Sequence, residues 1–271
     1  MLSYFRWTLF FIALFLTLMG GALFFGHEVL VSQGPLDKPK SVVIPRGAGP
    51  SAMAKLLREE GVISYPRLFR VALMVDPTPK PIKAGEYEIP AHASMSQIVD
   101  ILQSGKQVQR RLTVVEGMTT AEVVELGRKT EALSGEITLD LKEGDLLPET
   151  YFFAREDTRD GLLMRMKEAM DKTLDEAWRK RAAGLPLANR REALTLASIV
   201  EKETGDARER ALIAGVFANR LKIGMRLQTD PTVIYGLGER FDGNLRRRDL
   251  TEDTPFNTYT REGLPPHPIA N

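Results

Sequence analysis

From Trp7 to Phe25 the chain runs 19 residues without a charged side chain. A helix of that length crosses roughly 30 Å of hydrocarbon, and in lipid a single segment can satisfy its own backbone only as a helix. Tyr4, Phe5 and Trp7 stand where an interfacial aromatic belt would, and Arg6 adds positive charge to the amino terminus. Glu28 and Asp37 follow the far end. The positive-inside rule then leaves residues 1–6 in the cytoplasm and carries the rest across the inner membrane into the periplasm. Small residues at Gly20, Gly21 and Ala22 would suit a cleaved signal peptide. The run continues through Phe25, longer than a usual signal core, so it reads as a retained single-pass anchor.

Lys and Arg together number 37 against 36 Asp and Glu, a net charge of +1, so no global basic bias points to nucleic acid. Arg246-Arg247-Arg248 reads as a solvated turn. The absence of cysteine excludes thiol catalysis, disulfides and cysteine-ligated metal. The three histidines, His27, His92 and His267, are too scattered to suggest a metal cluster. No cofactor and no metal are expected.

The exported part divides at turn signals. Residues 26–40 read as a linker, with Gly34, Pro35 and Pro39. Residues 41–110 read as a small module: a strand at Ser41–Pro45, a helix from Ala52 to Glu60 capped by Gly61, a helix over Pro66–Val75, a Pro-rich break at Asp76–Pro81, and a strand at Gly85–Ile89. That order resembles the LysM glycan-binding module, and a plain structural subdomain fits equally well. Ser94 with Gln97 forms a capping box for a helix to Ser104, ended by Gly105. A connecting α/β segment at 111–150 holds most of a strand at Gln109–Val115 and a helix opening at Thr119/Thr120. Leu146–Phe153 reads as aromatic and turn-like. In a catalytic domain at 151–271, helices are predicted over Asp160–Arg181, from about Asn189, and over Ala207–Lys222 with Gly224 as cap. The fold class is α+β.

The candidate chemistry begins at Leu194–Gly205. Leu196, Ile199, Val200 and Glu203 recur at helical spacing and share one face, while Glu201 points about 200° away. The pattern predicts that Glu203 ends an apolar stripe and is desolvated, which would raise its pKa toward the range of a proton donor, with Glu201 in water. The same residues also suit an amphipathic helix with a solvated last turn. Farther on, Asp230-Pro231 looks like an N-cap and first helical residue. Gln228, Thr229, Asp230 and Asn257 could hydrogen-bond a polyhydroxyl ligand, with Tyr235 and Tyr259 as stacking surfaces. Singly, each could equally cap, tie down a loop or pack.

Five tracts carry a resemblance: E-G-M-T at 116–119, L-L-P-E-T-Y at 146–151, A-S-I-V-E-K-E-T at 197–204, V-F-A-N-R-L-K-I-G-M-R-L-Q-T-D-P-T-V-I-Y-G at 216–236, and N-T-Y-T with G-L-P-P within 257–266. In that order they resemble the YceG family of endolytic murein transglycosylases. The resemblance implies a membrane-anchored lyase that cuts nascent peptidoglycan strands, with Glu203 as the single acid/base and 1,6-anhydro-N-acetylmuramic acid ends as product. Glycan strands, inner-membrane lipid and peptidoglycan synthases are the implied partners. It also implies a further strand-rich segment past the double proline, so a catalytic domain truncated at Asn271 is the expectation; His267 departs from the small residue usual there. Two other readings stay open: a membrane-tethered peptidoglycan-binding protein, inactive because of the shortened C-terminus, and a hydrolase pairing Glu203 with Asp230 or Glu201 as second carboxylate.

Overall fold

A computed structural model describes residues 2–75, 80–155 and 157–271, with side chains at Trp7 and from Phe10 onward. The side chains of Tyr4, Phe5 and the flanking Arg6, and residues 76–79 of the Pro-rich break, lie outside that description. The chain forms two compact units, residues 1–109 and 110–271.

In the first unit, α1 spans Leu2–Val31, about 45 Å of helix. Its Phe10–Val31 stretch has a mean hydropathy of 1.9 and is apolar enough to cross a membrane. Phe11, Phe15, Leu18, Leu23 and Phe24 are all exposed, so the helix is apolar all round, as lipid requires. The helix continues six residues beyond Phe25, into the segment expected as linker, and Val29 and Leu30 pack on the core of the unit. That core lies beneath β1 (Lys40–Ile44) and β2 (Gly85–Ile89), an antiparallel pair with Val42 opposite Tyr87. Between them come α2 (Pro50–Glu59) and α3 (Pro66–Val75); α4 (Met95–Ser104) follows. Leu57, Phe69, Tyr87, Ile98 and Leu102 fill the centre. Ser94 and Gln97 make the expected capping box, and Gly105 ends α4 in the left-handed region that glycine adopts without strain.

The second unit pairs β3 (Gln109–Thr113) with β4 (Thr150–Ala154). The tract expected as aromatic and turn-like thus ends in a strand, because its partner lies some forty residues upstream and leaves no local signal. Five helices carry the rest of the candidate site: α5 (Thr120–Lys129), α6 (Arg159–Arg179), α7 (Arg190–Glu203), α8 (Arg210–Lys222) and α9 (Asp230–Leu237). A short α10 (Arg247–Thr251) takes up most of the arginine run expected as a turn, and Arg246 pairs with Asp242 at 2.6 Å. Helix α8 starts three residues later than expected, because Asp206 accepts from the Arg208 backbone and side chain and holds a turn there. One core sits under β3, β4, α5 and α6 around Leu146, Phe153 and Met166. A second joins Leu196, Ile199 and Val200 of α7 to Phe217, Leu227 and Ile269. Asp145, nearly buried, ties α6 to α7 through Lys167 (2.7 Å) and Arg191 (3.3 Å). Burial pushes its carboxyl up, but those two cations and the Lys142 backbone N–H outweigh it and hold it below the usual range.

Candidate active site

The sequence tracts noted above converge on the last turn of α7. Asn189 caps its start, accepting from the Glu192 N–H at 3.0 Å. Ser198 in its middle accepts the Ile269 N–H at 3.0 Å. The Asn271 side-chain oxygen accepts from the Leu146 N–H and the Thr120 hydroxyl, and its amide donates to the Met118 carbonyl. The E-G-M-T and L-L-P-E-T-Y tracts therefore meet beside α7. Gly117 has φ +79°, a left-handed conformation that favours glycine, and it lies against the Lys202 side chain. Lys202 donates to the Gly117 carbonyl at 3.3 Å.

Leu196, Ile199 and Val200 are buried as their spacing predicts. The two acids are not arranged as expected. Glu203 is exposed, and Glu201 is the more enclosed of the pair, bound to Arg210 at 3.0 Å. The apolar wall that covers the stripe stops short of the helix end: α7 finishes at Glu203 and Thr204 is already extended. A shared helix face does not guarantee that anything stands opposite its last residue. The carboxyl of Glu203 meets solvent on one side and a hydroxyl on the other, since Thr229 Oγ1 donates to its Oε2 at 2.6 Å.

Thr229 is 2% exposed. Its N–H donates to Thr258 Oγ1 at 3.1 Å, its carbonyl accepts from Thr232 Oγ1 at 2.8 Å, and the Thr232 and Thr258 hydroxyls lie 2.9 Å apart. Gln228, just before it, has φ +52°, a left-handed conformation uncommon outside glycine, and its N–H donates to the Thr258 carbonyl. The side chain of Gln228 is exposed. Asp230 is not the N-cap: Thr229 holds that place and Asp230 opens the first turn of α9, where a negative charge suits the helix dipole. Asp230 accepts from the Tyr259 hydroxyl at 2.5 Å. Burial, then the hydrogen bond and charge of Asp230, then the charge of Glu203 push the Tyr259 phenol up to about 12 against the opposing field of Arg220. Glu203, Thr229, Asp230 and Tyr259 thus form one constellation.

Asn257 and Tyr235 lie differently. Asn257 is 1% exposed; its amide donates to the carbonyls of Asp249, Leu250 and Glu252, and its oxygen accepts from the Tyr259 N–H at 2.8 Å. All of its capacity is spent inside the protein, so it shapes the loop that carries Tyr259. Tyr235 meets Phe256 edge-on at 4.9 Å, with the His267 ring also against both. Its hydroxyl donates to Glu143 Oε2 at 3.0 Å, and burial first, then the Glu143 charge, raise its pKa. The half-buried Glu143 also accepts from the Thr120 N–H. Tyr235 and Glu143 line a cavity of about 810 Å³ with Thr119, Lys202, Ile234 and Ile269. Sequence reasoning missed Glu143 and Thr258. Thr258 sits inside the quoted N-T-Y-T tract; Glu143, 92 residues from its tyrosine, has no local signal.

The YceG-like family is matched over residues 42–271. An endolytic murein transglycosylase of Bacillus subtilis (strain 168) is 29% identical, covering 94% of this chain and 79% of its own length. One from Streptococcus pneumoniae serotype 2 is 28% identical over 94% of this chain, which spans about half, 55%, of that relative's length. A solved structure of a yceG-like protein, lmo1499 from Listeria monocytogenes, is 30% identical over 86% of each chain, with a TM-score of 0.48.

Proposed function

This chain belongs to the YceG-like family, and from that premise we propose that it is a membrane-anchored endolytic transglycosylase of peptidoglycan, a lyase in which Glu203 is the acid and then the base. The observation that carries the assignment of Glu203 is the state of the three acids at the site. Glu201 has both oxygens on Arg210, and Asp230 accepts from the exposed Tyr259 hydroxyl, whereas Glu203 is held through Oε2 by a threonine that is itself buried. Among the described residues no protein group bonds its Oε1, which is left for a substrate.

The reaction needs one such group. Protonated Glu203 donates its proton to the oxygen joining C1 of N-acetylmuramic acid to O4 of N-acetylglucosamine, and the C1–O bond breaks. The resulting carboxylate removes the proton of the muramic 6-hydroxyl as that oxygen closes on C1. The proton returns to Glu203, no water is added, and the product carries a 1,6-anhydro ring. An ordinary two-acid glycosidase needs a second carboxylate opposite the first; Glu201 is tied to Arg210 through both oxygens, and the similarity to endolytic murein transglycosylases favours the lyase over a hydrolase using Asp230.

Exposed Gln228, next to Thr229 in the chain, and Tyr259 would contact the sugar, and the cavity beside Tyr235 would hold an adjoining part of the strand; its size falls within the range of ligand sites. The strand–helix–helix–strand order of β1, α2, α3 and β2 supports a LysM-like glycan-binding role for the first unit. Helix α1 supports an inner-membrane anchor, with the chain that follows it in the periplasm. Digestion of isolated sacculi with the detergent-solubilised protein tests the assignment. Anhydro termini, lost in Glu203→Gln, are expected; reducing termini would establish a hydrolase, and intact strands a binding protein.

A further inference from the structure

We propose that Thr229 is a positioning residue that aims the carboxyl of Glu203, a role distinct from the sugar contact that its hydroxyl would suit. The inference rests on Glu203 being the acid. With only 2% of its surface exposed, Thr229 has no face to offer a glycan. Its hydroxyl is spent on Glu203 Oε2 at 2.6 Å, within the range of hydrogen bonds to a charged acceptor. Glu203 needs such a partner. It is the last residue of α7, where the helix's unpaired carbonyls repel a carboxylate instead of holding it. On its own side of the chain, Thr204 turns its hydroxyl away to Glu209.

Thr229 is itself clamped on both backbone sides. Thr258 Oγ1 takes its N–H and Thr232 Oγ1 donates to its carbonyl, so little rotation of the residue is left. The left-handed turn at Gln228 delivers it there; a non-glycine residue held in that region signals a conformation imposed by its surroundings. The geometry has a chemical consequence. With Oε2 engaged by Thr229, the transferable proton is carried by Oε1, the oxygen without a protein partner among the described residues.

The test compares Thr229→Val, Thr229→Ala, Thr229→Ser and Glu203→Gln in the 271-residue chain, with kcat and KM measured on uncrosslinked glycan strands and products identified by mass. Val and Ala both delete the hydroxyl, one at constant volume and one without, so a folding defect in either leaves the other to decide. Loss of alignment should lower kcat about 10- to 100-fold at nearly constant KM, and Ser should restore it to within about threefold. A raised KM with unchanged kcat would make Thr229 a sugar ligand and overturn the proposal, as would full kcat in Val or Ala while Glu203→Gln is inactive. Full activity in Glu203→Gln would remove the acid assignment itself, and the positioning role with it.

Discussion

Replacing Asn257 by alanine separates two roles for that residue most sharply. An asparagine beside an aromatic suggests a sugar ligand, in which case its loss should weaken glycan binding and leave the fold alone. The structure assigns it a buried, fully engaged position. The amide has two N–H groups directed at three carbonyls, the shortest contact being 2.7 Å to Glu252, and its oxygen accepts the Tyr259 N–H at 2.8 Å. Alanine therefore deletes two donated bonds and one accepted bond in a site 1% exposed. At about 1 kcal/mol each the cost is about 3 kcal/mol, because the orphaned groups find no ready replacement. For a unit of this size that lowers Tm by roughly 6–12 °C. Calorimetry of the detergent-solubilised chain reads this on the transition of residues 110–271, and kcat should fall with it, since Tyr259 loses its backbone anchor. An unchanged Tm accompanied by a raised KM would refute the reasoning and return Asn257 to the substrate.

Glu203→Gln should cut turnover by about 10²–10⁴-fold, while Glu201→Gln, which loses only a half-exposed pair with Arg210, should keep most activity; reversed effects on sacculus digestion would shift the acid to Glu201. Gln228→Gly keeps the left-handed backbone but removes the proposed sugar contact, so it should retain kcat with a raised KM, whereas Gln228→Val, for which φ +52° is strongly disfavoured, should lose both stability and rate; an unchanged KM in the glycine variant would remove the sugar contact. The depressed pKa of Asp145 means that its stabilisation is in place above about pH 4, the unfolded value, and is lost as pH falls through the lower folded value. Asp145→Asn should therefore be less stable near neutrality and show a flatter acid limb in chemical denaturation below about pH 4; an unaltered limb would disprove the link.

Much of the local structure was legible in the residues because local free energies decide it. The uncharged run from Trp7 admits only a helix in lipid, and α1 is that helix. The Ser94/Gln97 and Thr119/Glu122 capping boxes, the Asn189 cap and Gly105 each settle a helix end within four residues of sequence. The stripe of Leu196, Ile199 and Val200 followed from helical period alone. Tertiary structure decided what stood opposite. Period places Glu203 on the inner face of α7, but only the tertiary structure leaves it exposed at the helix end, and only the fold brings Thr229 to it across 26 residues. The same holds for β4, whose strand character depends on β3, and for Glu143, whose meaning depends on Tyr235. Asn257 and Gln228 show the limit most clearly. Polarity tells which groups must find a partner, while whether that partner is the protein's own backbone or a ligand depends on contacts between segments distant in the chain.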